Sequence, residues 1–501
     1  MTEMFPMLDG VILLSNLLLF ILGLVVLAVA VLFVIDITQT KDAVRRNYPV
    51  IGRFRYLFQT LGEFFRQYFF AMDREELPFN RAERDWIHKS AHNEDNTSAF
   101  GSTRSLTPPG TAIFVNAAYP VMDEHDTMAP AITIGEGTPN PYAARSLINI
   151  SAMSYGSISK PAILALSRGA KLAGCWLNTG EGGLSPFHLD GGCDVVFQIG
   201  TAKYGVRTKD GALDEAKLRE IAAHPTVRMF EVKLSQGAKP GKGGMLPGSK
   251  ITEEIAEVRG IPEGEDSISP NRHPEIPDNA ALLDFIDRIR TITGKPTGIK
   301  TVIGAESWME ELCEEIQRRG PASAPDFITV DSGDGGTGAA PMPLMDNCGL
   351  TIREALPIVI DTLVRHDLRQ RVKVIASGKL VTPAEVAWAY CAGTDFVNSA
   401  RGFMFALGCI QSLKCNKNTC PTGITTHDKR LQKGLDPEIK SVRVANFVQK
   451  MEHGVNLIAH SCGADHPRAL RRHHVRLVQG DGRSTSMDRL WPDAEGQSAA
   501  A

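Results

Sequence analysis

The chain has 501 residues, of which 43% are hydrophobic and 22% charged, with a formal net charge of −3. That balance excludes a disordered polypeptide, which is poor in apolar residues, and a nucleic-acid binder, which carries a basic excess. Its nine cysteines lack the dense, regular spacing of a secreted disulfide framework.

From Val11 to Ile35 no charged residue occurs, and Leu, Val, Ile, Phe and Ala dominate. As a helix this stretch spans roughly 37 Å, enough to cross a hydrocarbon layer of about 30 Å. A signal peptide would open on a basic stretch, carry a shorter apolar core and end at a small-residue cleavage site. Here Glu3 and Asp9 precede the run and Asp36 follows it. A buried core helix, the other competing reading, is rarely apolar on every face. Residues 1–36 are therefore expected to form a single-pass transmembrane anchor. Lys41, Arg45, Arg46, Arg53 and Arg55 lie just beyond the run and no basic residue precedes it. The positive-inside bias then places everything after Asp36 in the cytoplasm, a reducing compartment that suits unpaired thiols.

Residues 37–110 read as a helical juxtamembrane and linker segment. Phe54, Tyr56, Phe58, Phe64, Phe65, Tyr68, Phe69 and Phe70, interspersed with Arg, suit either a membrane surface or packing on the main domain. Packing is the expectation. His92–Gly110, rich in Asn, Ser, Thr, Pro and Gly, reads as a linker or wrapping loop.

Residues 111–435 alternate short β-branched runs with helix-like stretches, the pattern of parallel βα units. Eight strands are predicted: Leu147–Ala152, Trp176–Thr179, Val195–Ile199, Val227–Val232, Thr297–Val302, Phe327–Val330, Val372–Ile375 and Phe396–Asn398. Nearly every one is followed by a cluster of Gly, Ser, Asn, Gln, Lys or Asp. Singly such clusters are turns. Together they match a (β/α)8 TIM barrel, whose site is built from the loops at the C-terminal strand ends. Residues 436–501 are expected to be a C-terminal extension.

Ser377-Gly378 follows the seventh strand and Ala400-Arg401-Gly402 the eighth. Barrels frequently hold a phosphate at these two loops, so a phosphate-bearing cofactor is expected. Lys300 interrupts the apolar fifth strand. It suits the negative charge of a reduced flavin, or an ion pair with a barrel acid such as Asp331. Cys175, Cys193, Cys313, Cys348, Cys391 and Cys462 stand alone and read as small core residues. Only Cys409, Cys415 and Cys420 have ligand-like spacing.

At Cys409-x5-Cys415-x4-Cys420-Pro421, preceded by Ala406-Leu407-Gly408, the sequence resembles the synthase domain of glutamate synthases. The likeness covers roughly residues 145–435. Ser151-Ala-Met-Ser-Tyr-Gly-Ser-Ile-Ser159 is similar to the family's first flavin loop, with Met153 and Ser154 against the cofactor. Asn178-Thr-Gly-Glu-Gly-Gly183 and Gln198-Ile-Gly-Thr-Ala-Lys-Tyr-Gly205 resemble its second and third strand motifs. Gln236-Gly-Ala-Lys-Pro-Gly-Lys-Gly-Gly-Met-Leu-Pro-Gly248 resembles its substrate loop, and Asp334-Gly-Gly-Thr-Gly338 follows the sixth strand.

The resemblance implies a barrel of the FMN-dependent type. Lys300 would lie near the flavin N1 edge, Asp331 beside it, Gln198 on the pyrimidine side, and Ser377, Gly378 and Gly402 near the phosphate. Glu181, Lys239 and Arg259 match positions near a 2-oxo acid, with Glu181 and Lys239 as catalytic candidates. Cys409, Cys415 and Cys420 would hold a [3Fe-4S] cluster. Three thiolates on one tight loop cap three irons and leave no fourth thiolate nearby. Zinc is the competing metal, although the CxxC knuckles usual for it are absent.

The implied reaction is reductive amination of a 2-oxo acid, 2-oxoglutarate to L-glutamate in the family, with hydride from reduced FMN and electrons relayed by the cluster. Neither a glutaminase domain nor a Rossmann-type nucleotide domain is read in the sequence. Nitrogen is therefore expected as free ammonia or from a separate amidotransferase, and electrons from a ferredoxin or an NAD(P)H-oxidising subunit. Lys242 and Met245 stand where the family has an acid and a glutamine. Two alternatives follow: the same chemistry with an alkylamine, or a membrane-bound FMN and iron–sulfur electron-transfer component without amination.

Overall fold

The computed structural model describes residues 4–122 and 128–492. They fall into two compact units, Met1–Ala82 and Glu83–Ala501.

The first unit opens with helix α1 (Met4–Thr38). Its stretch Gly10–Thr38 is 29 residues long with a mean hydropathy of 3.4, and Asp36 is its one buried residue. By length and composition the helix is a candidate to cross a membrane. Asp42 caps the short helix α2 (Ala43–Asn47), its Oδ1 accepting from the Val44 and Arg45 amides at 3.0 and 3.1 Å. Helix α3 (Ile51–Phe65) follows and ends in one π-helical turn, Arg66–Phe70. Phe54, Tyr56, Phe58, Phe65, Tyr68, Phe69 and Phe70 are exposed, and the Phe64 side chain lies outside the described residues.

The second unit is built on eight parallel strands: β1 (Ile148–Ile150), β2 (Leu177–Asn178), β3 (Val195–Ile199), β4 (Val227–Lys233), β5 (Thr297–Val302), β6 (Phe327–Asp331), β7 (Lys373–Ser377) and β8 (Phe396–Ser399). They close into a barrel. Closure is made where β8 pairs with β1, Val397 opposite Ile148 and Ser399 opposite Ile150. All eight predicted segments are strands, with ends shifted by no more than a few residues.

The base of the barrel is plugged. Trp176, Phe327 and Phe396, at or just before strand starts, pack with Met229 and Ile375 against Ile134, Tyr142 and Ala144 of the antiparallel pair Ile132–Ile134 and Tyr142–Ala144. Trp176 and Phe396 meet edge to face at 5.0 Å between ring centres. Water is excluded at that end, which leaves the C-terminal strand ends for chemistry.

The long helix Pro437–Ser461, beyond the cysteine loop, packs beside Lys160–Ala173 and Pro383–Ala392, the helices after β1 and β7. The outer ring of helices is therefore completed by residues beyond 435. A Cβ on Gly169 would meet Val444 Cβ at 2.5 Å, so glycine is required at that crossing. Beyond it, Val475–Val478 pairs antiparallel with Ala112–Phe114, joining the segments that precede and follow the barrel. Buried Arg472 reinforces the junction, reaching both carboxylate oxygens of Asp361 at 2.5 and 3.1 Å. Among the lone cysteines, Cys175, Cys193, Cys313, Cys391 and Cys462 are buried as expected, whereas Cys348 is half-buried.

Candidate active site

Strand alternation sends polar side chains from the apolar strands into the barrel, and their loops meet in one cavity at the C-terminal mouth. The cavity holds about 1610 Å³ of atom-free space, its open mouth included. Of the residues singled out from sequence, Met153, Ser154, Glu181, Gln198, Lys239, Arg259, Lys300, Asp331, Ser377, Gly378 and Cys415 line it.

Its floor is organised by a residue that sequence reasoning missed, Glu231 of β4. This buried carboxylate accepts from Asn178 Nδ2 at 2.8 Å, Gln198 Nε2 at 2.6 Å and Thr329 Oγ1 at 2.7 Å. Three donors satisfy side-chain oxygens that would otherwise be buried without partners. They also turn the Gln198 amide nitrogen inward, which leaves its Oε1 for the cavity. Beside this network Lys300 Nζ lies 3.2 Å from Asp331 Oδ2. Burial pushes the Lys300 ammonium down, but Asp331 and then Glu231 raise it above the ordinary lysine value. The ion pair considered from sequence is thus present, and both partners face the cavity.

On another wall Glu181 Oε2 accepts from Lys233 Nζ at 2.9 Å, and Lys233 Nζ also reaches Gln236 Oε1 at 2.5 Å. Lys233, the last residue of β4, was likewise not foreseen. Gly200 and Gly244 make room for Glu181: a Cβ on either would stand 2.6 Å from its side chain. Burial alone pushes the Glu181 carboxyl up, but Lys233, followed by Lys239 and Arg259, holds it down at about 2. It is therefore a carboxylate throughout the neutral range. Burial, with Lys233 close by, pushes the Lys239 ammonium down, Glu181 partly opposing.

Arg259 ends the helix Glu253–Arg259 and is only 3% exposed. Its Nη2 donates to Tyr155 O at 3.1 Å, its guanidinium lies 5.0 Å from the Tyr204 ring centre, and its buried Nε has no hydrogen-bond partner.

At the opposite wall Gly378 has φ +116°, and a Cβ there would stand 2.3 Å from Ser332 Cβ. Only glycine fits that turn. Gly402 is not among the residues lining the cavity. Its missing Cβ instead accommodates Ser399 Oγ at 2.8 Å and Phe447 at 2.9 Å. Ser399, Ala400 and Arg401 line the cavity in its place.

The cysteine loop adjoins the same cavity. Gly408, Gln411, Leu413 and Asn418 all adopt left-handed backbone conformations, which coil the loop tightly. Cys409 and Cys415 are half-buried and Cys420 is buried. The Gln411 amide donates to Cys409 Sγ at 3.5 Å, and Arg401 Nη1 lies 3.9 Å from Cys415 Sγ. Buried Lys250 donates to the Cys415 and Thr425 carbonyls, each at 2.8 Å. Three thiols backed by N–H donors and two cations have the donor chemistry of an iron–sulfur site. Among the described residues, however, no group of three His, Cys, Asp or Glu side chains is gathered closely enough to hold a metal ion.

Residues 89–465 match the conserved region in glutamate synthase. The glutamate synthase large subunit-like protein YerD of Bacillus subtilis (strain 168) is 39% identical, covering 94% of this chain and 97% of that protein. An archaeal-type glutamate synthase [NADPH] of Thermotoga neapolitana is 35% identical over 66% of this chain. This chain spans 62% of that relative's length. Among solved structures, mandelate oxidase with (S)-2-phenylpropionate aligns over 79% of this chain and 90% of its own, at 15% identity and a TM-score of 0.44. The match over residues 89–465 contains the whole barrel and the cysteine loop. The chain belongs to the glutamate synthase family.

Proposed function

We propose that the chain is a glutamate synthase-like oxidoreductase that reductively aminates a 2-oxo acid, 2-oxoglutarate in the first instance, to the L-amino acid. The observation that carries this reading is the convergence of Lys233, Lys239 and Arg259 on Glu181 beside the Lys300–Asp331 pair. A dicarboxylate needs two cations in a site sheltered from water. Lys239 and Arg259 supply them, and the unpartnered Arg259 Nε is a donor in waiting.

The cavity suits FMN. Ser377, Gly378 and Ser399–Arg401 would hold its phosphate, Lys300 would offset the negative charge of the reduced ring, and Gln198 Oε1 would accept from a ring N–H. FMN, when bound, supplies the hydride that reduces the substrate carbon. Cys409, Cys415 and Cys420 would hold a [3Fe-4S] cluster, which supplies one-electron transfer from an external donor.

Condensation of the oxo acid with ammonia forms a C=N bond and expels water, and hydride addition to that carbon gives the amino acid. Lys239 and Arg259 hold the carboxylates still. Glu181, ionised at neutral pH, pairs with the ammonium or iminium nitrogen more readily than it gives up a proton. Lys233, shared between Glu181 and Gln236, is placed to hand a proton to the departing oxygen. Helix α1 is proposed to anchor the chain in a membrane, with the barrel on the cytoplasmic side. A second reading, an alkylamine as nitrogen donor, is favoured by Met245, which lines the cavity with an apolar thioether.

Titration of the FMN-loaded protein with 2-oxoglutarate tests the substrate assignment. A saturable change in the flavin spectrum, weakened in Lys239→Met and Arg259→Met, is expected. An unchanged spectrum at millimolar 2-oxoglutarate contradicts it.

A further inference from the structure

Helix α3 leaves uncovered a face that the catalytic reading does not use. At 100° per residue, Ile51, Phe54, Phe58, Leu61 and Phe65 fall on one stripe. Ile51, Phe54 and Phe58 are 72%, 51% and 65% exposed. Tyr68, Phe69 and Phe70 of the following turn are exposed as well. A continuous row of large apolar side chains is seldom left to water by a soluble protein. Arg46, Arg55 and Arg66, also exposed, give the neighbouring surface a positive charge.

The row is tied to the end of α1. Asp36, the first charged residue after the apolar run, is buried, and it accepts from Arg45 Nη2 at 2.7 Å, Arg53 Nε at 2.7 Å and the Val50 amide at 3.0 Å. Arg53 belongs to α3 and Arg45 to α2, so one carboxylate fastens both helices to α1. Close packing reinforces the clamp: a Cβ on buried Gly52 would meet Val44 O at 3.0 Å. The clamp therefore holds the start of α3 beside the residue at which the apolar run of α1 stops.

We propose that α3 and the turn Arg66–Phe70 lie in the headgroup–acyl boundary of an anionic phospholipid bilayer, aromatic row inward. The proposal rests on the reading of α1 as membrane-spanning. Two features select a lipid surface over a second copy or another protein. The row continues directly from a helix of membrane length, and its flanks are basic, as the anionic cytoplasmic leaflet requires. Arg stems lie along the apolar boundary while their heads stay at the phosphates. Interfacial aromatic residues then act as a second contact beside the single span.

The test uses the full chain in nanodiscs of phosphatidylcholine and phosphatidylglycerol, with lipids brominated either high or deep in the acyl chain. Two single variants are compared, Phe58→Trp and Leu22→Trp, against the wild-type tryptophan background. The expected result is blue-shifted added emission in Phe58→Trp, lost mainly with shallow bromines, and loss mainly with deep bromines in Leu22→Trp. Quenching in Leu22→Trp but not in Phe58→Trp overturns the interfacial helix and leaves the anchor standing. Blue-shifted but unquenched emission in Phe58→Trp overturns it in favour of a protein partner or a second copy. Quenching in Phe58→Trp alone supports the interfacial helix and overturns the anchor. Quenching in neither overturns both. Phe54→Trp repeats the measurement if Phe58→Trp fails to assemble.

Discussion

Glu181 and Lys233 face each other across the barrel mouth at 2.9 Å, with Lys239 and Arg259 close enough to add their charge. One carboxylate among three cations leaves a net positive pocket, which is what an incoming dicarboxylate requires. Lys239→Met is expected to raise the KM for 2-oxoglutarate by about 10- to 100-fold, the worth of one buried charge-assisted hydrogen bond. The change in kcat is expected to be smaller. Steady-state kinetics with reduced donor check this. An unaltered KM removes Lys239 from the substrate site.

The same ion pair has a pH signature. The Glu181 carboxyl titrates at about 2 in the folded protein against an ordinary 4.5. Its folded pKa is depressed, so its contribution to stability is fully present above the unfolded value and is lost as pH falls from about 4.5 toward 2. Glu181→Gln is expected to melt lower at neutral pH, by about 1–3 kcal/mol, and to decline less steeply than wild type on acidification. Melting curves across that range decide the point. Parallel curves contradict it.

Glu231 holds three donors at once, so Glu231→Gln presents an amide N–H to at least one of them. A loss of about 1–3 kcal/mol of stability is expected. Gln198 is also freed to turn, so weaker FMN retention should accompany the loss. Thermal melts and flavin content after gel filtration report the two effects separately.

Gly378→Ala sets a methyl group 2.3 Å from Ser332 Cβ at φ +116°. The turn after β7 must open, and bound flavin is expected to fall well below wild type even where the barrel still folds. Circular dichroism alongside flavin absorbance separates a lost site from a lost fold.

Cys415→Ser is expected to abolish iron–sulfur signals in anaerobic electron paramagnetic resonance while flavin is retained. Full donor-linked activity in that variant would remove the cluster from the electron route.

The barrel was legible because its strands are short apolar runs with polar residues clustered at one end, a pattern that local chemistry alone imposes. Glu231 and Lys233 escaped notice for the same reason. They sit in the run Val227–Lys233 with Arg228, and a charged residue in a strand does not declare which way it points. The tight packing of Gly402 against Phe447, a contact 45 residues away, is one that no local pattern reveals. Pro437–Ser461 lay beyond the cysteine loop, and only its packing beside Lys160–Ala173 shows that it belongs to the ring of helices. The aromatic row of α3 was visible in sequence, but its exposure was not.

The most direct measurement of the proposed reaction is a single anaerobic turnover. The FMN-loaded protein is reduced, freed of excess reductant and mixed with 2-oxoglutarate and nitrogen-15 ammonium, with parallel samples containing methylamine. The predicted result is flavin reoxidation together with one nitrogen-15 glutamate per reduced flavin, identified by mass. Flavin that stays reduced with both amines but is promptly reoxidised by a quinone would contradict reductive amination.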